Sequence, residues 1–159
     1  MLKQISHHIN RVVEILISLM GLFMAAVVGA QVFSRYVLNH SLFWSEETAR
    51  ILLVAITFFG ATVAYFRNTH PGVDGFYRRF PKKMQAIAHT AVALAGLGFF
   101  LVMIVHGIEF AWFVRSQITP ALGLPKWAVM SIVPVSGLVF MIHGLAFLIQ
   151  GKKEREQDR

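Results

Sequence analysis

The stretch Arg35-Tyr36-Val37-Leu38-Asn39-His40-Ser41-Leu42-Phe43-Trp44-Ser45-Glu46-Glu47-Thr48-Ala49-Arg50 decides how this chain is read. It separates two uncharged apolar runs, 15–34 and 51–66, and brings two arginines, two glutamates and a tryptophan between them. A plain loop between membrane spans would be shorter or richer in Gly and Pro. Ser45 followed by Glu46 and Glu47 predicts a helix start: the hydroxyl caps free N–H groups and the acids oppose the positive helix end. Glu46 and Arg50 are four apart with the acid first, the favourable order for a helical ion pair. Arg50 then enters an apolar span, where an unpaired charge costs about 2.5–3.5 kcal/mol on insertion scales. The charges are therefore expected to pair with one another, with Arg35 approaching from the first span, or with a partner. The alternative is a headgroup-level cluster that only sets the ends of two helices.

Composition supports the reading of those runs as membrane spans. Of 159 residues, 56% are hydrophobic and only 14% charged, well under the quarter usual in a soluble domain. Mean hydropathy is +0.61. Charged residues leave four long runs free, 15–34, 51–66, 84–108 and 127–150. At about 1.5 Å per residue, ~20 residues cross the ~30 Å hydrocarbon core. The second run is short unless its helix begins near Glu46. The sequence thus predicts an all-α membrane protein in a single membrane domain. Its four transmembrane helices run over about 12–34, 46–66, 84–113 and 126–150, with a polar tail at 151–159.

A net charge of +7 could suggest nucleic acid, but its placement argues otherwise. Eleven Lys and Arg, namely Lys3, Arg11, Arg67, Arg78, Arg79, Lys82, Lys83, Lys152, Lys153, Arg155 and Arg159, fall on one side of a four-span chain. Only Arg35, Arg50, Arg115 and Lys126 fall on the other. The positive-inside rule puts the richer side, with both termini, in the cytoplasm. The basic character is topology, and no nucleic-acid partner is expected. There is no Cys, hence no disulfide framework, thiolate chemistry or Cys-ligated metal. The N-terminus resembles a signal peptide, with Val28-Gly29-Ala30 as a possible cleavage site. Its apolar run is longer than a normal signal core, and it is taken as an uncleaved first span.

Along the chain, residues 1–11 are polar and suggest a short interfacial helix. Glu14, three residues after Arg11, suggests a boundary ion pair. Gly21, Ala25 and Gly29 recur every fourth residue, and Gly60 and Ala64 repeat the spacing; small residues so placed let membrane helices approach closely. Val73, Phe76, Tyr77 and Phe80 recur at helical spacing before Pro81 and predict a short amphipathic helix on the membrane surface. Pro125 suits the first turn of the fourth span and Trp127 the interfacial belt. Pro134 lies inside that span and should kink it at the Met130 carbonyl.

Ionisable residues within spans are functional suspects. His89 and His143 should lie at similar depth in the inner leaflet, and such a pair on facing helices can ligate a haem. That defines an alternative class, a haem-carrying membrane anchor of a respiratory enzyme; the plainer reading is hydrogen bonding between helices. A small proton-coupled exporter is the other alternative, but Glu14 lies too near the membrane edge for a carrier site. No hydrolase triad, phosphate loop or metal-ligand spacing occurs. No catalytic residue, cofactor site or metal site is assigned, and the chain is not expected to be an enzyme.

The residues do carry a resemblance. Ser34-Arg35-Tyr36-Val37, Trp44-Ser45-Glu46-Glu47-Thr48-Ala49-Arg50, Gly60, Arg67 with His70 and Asp74, Leu124-Pro125-Lys126-Trp127 and Pro134 follow one another as in the small membrane subunit of TRAP transporters, the tripartite ATP-independent periplasmic carriers of the DctQ-like family. The similarity runs over nearly the whole chain, and Trp-Ser-Glu-Glu-x-Ala-Arg is its most specific piece. Thr48 departs from the more usual Leu. The chain ends after its fourth span, which suggests a separate subunit, not one fused to the permease. The resemblance implies a multi-pass protein of the bacterial inner membrane within a sodium-driven importer of organic acids, such as a C4-dicarboxylate or a sialic acid. Its partners would be a large permease subunit, a periplasmic substrate-binding protein and membrane lipid. The small subunit would extend the fixed scaffold against which the large one moves, without forming the substrate site. Arg35, Trp44, Glu46, Glu47, Arg50 and Gly60 are the expected interface or structural residues.

Overall fold

The computed structural model describes residues 2–67 and 82–157, with side chains described over 2–67 and 91–149. The chain forms helices α1 (Leu2–Tyr36), α2 (Phe43–Phe66), α3 (Lys82–Phe113), α4 (Lys126–Met130) and α5 (Ile132–Gln157). Four stretches are long and apolar enough to cross a membrane: Leu2–Tyr36, Phe43–Phe66, Ala91–Phe113, and Lys126–Ile149, the last running through α4 into α5. The expected amphipathic helix at 73–80 lies outside the described residues.

The separate helix expected at residues 1–11 is absent. Nothing between Leu2 and Gly21 breaks a helix, and α1 runs unbroken for 35 residues, about 52 Å at the usual rise. Ser6 and Asn10 are buried, 2% and 6% exposed, and Asn10 Nδ2 donates to Glu14 Oε1 at 2.8 Å.

Side-chain contacts give the order of helices. His7 packs edge-on against Phe66 at the far end of α2, and Ser6 hydrogen-bonds His143 of α5. The start of α1, the end of α2 and the second half of α5 therefore share one end, called here the terminal end. The turn between α1 and α2 and the loop between α3 and α4 share the other, the loop end. α1 packs mainly on α2, and α3 mainly on α5, which also meets α2 and α1. The last span accordingly has 39% of its apolar window buried, against 6–11% for the others.

The α3–α5 seam is closed by glycine. A Cβ on Gly107 would stand 2.9 Å from Pro134 Cδ, one on Gly137 3.0 Å from Ile104 Cγ1, and one on Gly144 2.9 Å from Leu97 Cδ2. Packing, not water, drives helices together in lipid, and close backbone approach gives the largest contact. Beside the seam Tyr65 of α2 meets Phe100, Phe140 and Phe147 edge-on, and Phe100 stacks on Phe140 with centroids 4.7 Å apart. The glycines of the other stripes meet no neighbour within this chain: nothing lies within 4 Å of a Cβ on Gly21, Gly29 or Gly60 among the described residues.

Pro134 acts one turn upstream of itself, where the helix is interrupted at Ser131 between α4 and α5. Its nitrogen has no proton to offer the Met130 carbonyl, and Ser131 Oγ turns back to the Ala128 carbonyl at 2.6 Å. Pro125 is the N-cap of α4, one place before the expected first turn.

Most large apolar side chains face outward: Leu22 is 71% exposed, Phe43 82% and Phe113 75%. An aqueous protein buries such residues, whereas hydrocarbon solvates them and leaves only the backbone to be satisfied internally.

Candidate functional site

The charge cluster of α2 is built differently from a Glu46–Arg50 ion pair. α2 starts two residues before Ser45, with Leu42 as an N-cap that has no side-chain bond. Ser45 is fully buried, and its hydroxyl donates to the Leu42 carbonyl at 2.6 Å. It ties down the first turn instead of capping it. Before it, Asn39 takes a left-handed φ of 52°, and Ser34 Oγ donates to the His40 carbonyl at 2.7 Å. A short polar side chain tolerates that conformation, so the connection from α1 to α2 is a built turn.

Glu46 and Glu47 diverge from this start. Glu46 faces α1, where Gln31 Nε2 donates to it at 3.4 Å. Glu47 faces the α3–α4 loop, and its Oε2 accepts the Ala121 N–H at 2.7 Å, with the Thr119 hydroxyl beside the carboxylate. The expected Glu46–Arg50 ion pair is not formed. Arg50 lies near Glu47 without a salt-bridge contact, and Arg35 makes no ion pair among the described residues. Both arginines are exposed, and Trp44 beside them is 42% exposed. Each acid took a partner far along the chain, which left the arginines directed outward.

The loop that Glu47 holds has its own framework. Thr119 N–H donates to the Leu124 carbonyl at 2.8 Å, Gly123 N–H returns to the Thr119 carbonyl at 3.1 Å, and Lys126 N–H reaches the Gln117 carbonyl at 2.9 Å. Gly123 has φ +64°, which glycine adopts without strain. Thr119 Oγ1 accepts the Leu124 N–H at 3.0 Å, and Lys126 Nζ reaches Gln117 Oε1 at 2.9 Å. Trp112 carries Arg115 over its ring at 4.6 Å. One carboxylate thus clasps a preformed hairpin.

A charged acceptor makes a stronger hydrogen bond than a neutral one. Glu47→Ala should therefore loosen the loop while leaving the bundle folded. With Leu122→Cys as the single thiol in a Cys-free chain, maleimide labelling should run measurably faster in Glu47→Ala, and less so in Glu47→Gln. Equal rates in all three backgrounds would show that the clasp holds nothing.

The terminal end carries a second polar set, which sequence reasoning largely missed. Glu14 pairs not with Arg11 but with Arg67, whose Nη2 and Nε stand 2.8 and 3.1 Å from Oε1. The arginine side chain is 61% exposed, so the bridge is worth at most about 1 kcal/mol. Deeper in, Ser6 Oγ and His143 Nδ1 are 2.7 Å apart. His143 is 1% exposed, with Phe66 against its ring at 5.0 Å. His143 makes an interhelix hydrogen bond through Nδ1, while its buried Nε2 has no hydrogen-bond partner among the described residues. The side chain of His89 lies outside the described residues. Ser6 and Asn10, four apart and polar in an otherwise helical stretch, were the signal for this set.

A four-span helical bundle with a clasped loop and an apolar exterior defines a multi-pass membrane protein without a catalytic constellation among its described residues. The comparisons narrow the class. The family model for the DctQ component of tripartite ATP-independent periplasmic transporters matches residues 24–153, and the chain belongs to that family. It is a transporter component of the inner membrane and not an enzyme. Over 147 residues it is 26% identical to the ectoine TRAP transporter small permease protein of Halomonas elongata, covering 91% of this chain and 75% of that protein. Over 110 residues it is 29% identical to the sialic acid TRAP transporter small permease protein of Vibrio cholerae, covering 69% and 64%. Over 136 residues it is 26% identical to the sialic acid TRAP transporter permease protein of Haemophilus influenzae. That match covers 86% of this chain but 22% of the other, much longer protein.

Proposed function

We propose that this chain is the small membrane subunit of a sodium-driven, binding-protein-dependent importer of an organic acid, and that it braces the large permease subunit without forming the substrate site. The observation that carries the reading is the apolar exterior of the bundle. The charged side chains near the loop end are either consumed in holding the chain together, as Glu46 and Glu47 are, or turned outward, as Arg35 and Arg50 are. The relative in which the matching segment is 22% of one longer permease supports a large partner directly beside it. Arg35, Trp44, Arg50 and the open helix surface around Gly60 are the contacts proposed for that partner. Glu46 and Glu47 have a structural role within the chain.

The substrate is a carboxylate chosen by the partners, a C4-dicarboxylate, a sialic acid or a similar solute. The relatives carry ectoine and sialic acid in their names, and this fits a common scaffold serving different substrates. The Lys and Arg distribution supports a terminal end in the cytoplasm and a loop end in the periplasm, where a binding protein docks. An impermeant maleimide should then reach Ser116→Cys from outside the cell; reaction from the cytoplasmic side alone would reverse the orientation. The function is tested by purifying the tagged chain from its own cells in mild detergent and identifying what accompanies it by mass spectrometry. A large permease subunit in stoichiometric amount is expected. A monodisperse chain that comes alone would overturn the proposal.

A further inference from the structure

One pair of ionisable side chains hydrogen-bonds to nothing beyond itself among the described residues. His106 Nδ1 and Glu109 Oε2 of α3 are 2.7 Å apart, and the two side chains are 69% and 67% exposed. They belong to neither the Glu47 clasp nor the Glu14–Arg67 set. Their neighbours on the same face, Phe99, Val102, Phe110 and Phe113, are 61%, 52%, 52% and 75% exposed. The pair is thus set in an apolar outer surface.

Its depth follows from the seam on the opposite face of α3. Gly107, adjacent to His106, abuts Pro134. Pro134 is seven residues beyond Trp127, and Phe113 is seven beyond His106, about 10 Å of helix in each case. Trp112 and Trp127, 68% and 50% exposed, are the residue type that settles at the headgroup level. His106 and Glu109 therefore lie on the hydrocarbon side of that belt, by about 10 and 5 Å. Ionisable residues there face a bundle interior, a water-filled cavity or a partner, not lipid tails. Lys and Arg can reach the surface from such depth, but the short imidazole of His106, about 10 Å in, cannot.

The chemistry of the pair specifies what it needs. Whichever ring nitrogen of His106 carries a proton, the second carboxylate oxygen of Glu109 remains an acceptor. The complement is a hydrogen-bond donor, a hydroxyl, amide or cationic side chain on an apolar helix at the same depth. We propose that this face of α3, centred on His106 and Glu109, docks a membrane helix of the large permease subunit that presents such a donor. The assignment rests on the function proposed above. It adds a polar anchor to a packing contact, since hydrogen bonds between membrane helices fix register as well as adding affinity.

The test uses the assembled complex. A photo-crosslinking amino acid is placed at Val102 or at Phe110, beside the pair but leaving it intact, and illuminated in cells. Crosslinks from both positions should run to the large permease subunit. In parallel, His106→Leu and Glu109→Leu should each lower recovery of that subunit about tenfold, while the thermal stability of the purified chain alone stays unchanged. A role confined to this chain would lower that stability instead, and the proposal would be wrong. Crosslinks only to lipid or to a second copy, with the large subunit still co-purifying with the wild-type chain, would overturn this surface and leave the proposed function standing. A wild-type chain that brings no large subunit would overturn both.

Discussion

Gly107→Leu should prevent this chain from forming a stable bundle, whereas Gly21→Leu should leave it folded. Both glycines lie in apolar helices, and the sequence gives no reason to rank them. At Gly107 a Cβ would stand 2.9 Å from Pro134 Cδ and 3.2 Å from Pro134 N and Cβ, while at Gly21 nothing lies within 4 Å. Pro134 cannot yield as a long side chain would: its ring is closed on the backbone. Even one added carbon must push α3 and α5 apart, and overpacking of this kind costs about 1–3 kcal/mol, occasionally more. A leucine adds three further carbons to the same gap. Separation there also disturbs the break at Ser131, which aims α4 and its loop back toward Glu47. Thermal unfolding in detergent should show Gly107→Leu aggregated or melting far below wild type and Gly21→Leu close to it. Similar behaviour of the two would mean the seam does not hold the helices.

That contrast also shows what could be read in the sequence. The four spans were legible because hydrocarbon selects for composition, and long uncharged runs record it directly. Which side of each helix packs inward was not. The stripe Gly21, Ala25 and Gly29 has the spacing of a contact face, yet the tight glycines are Gly107, Gly137 and Gly144. In a helix that is apolar all round, hydropathy no longer distinguishes the inner side from the outer. The partners of the charged stretch were hidden for a related reason. Spacing along one helix favours Glu46 with Arg50, but a local pair on an exposed surface gains only a few tenths of a kcal/mol. Contacts brought in by folding displaced it. Glu47 found Ala121, 74 residues away, and Glu14 found Arg67, 53 residues away. The motif Trp-Ser-Glu-Glu-x-Ala-Arg correctly marked the family, while the geometry divides its parts between an internal clasp and an outward charge.

The largest functional effect expected is loss of transport when this chain is absent, with substrate choice unaffected when it is altered. A scaffold contributes position and not recognition. On the proposed function, removing it would leave the large subunit without its fixed neighbour, and changing its surface would weaken assembly without reshaping the substrate pocket. Arg50→Ala should therefore lower transport by reducing the amount of complex, with the order of preferred substrates and the apparent KM retained. The most direct test is sodium-driven uptake into liposomes holding the large permease subunit, with its binding protein supplied outside. Uptake should require this chain, and exchanging it for the small subunit of a relative with a different substrate should change the rate but not the substrate. Full uptake without this chain, or a substrate preference that follows the exchanged small subunit, would contradict the account.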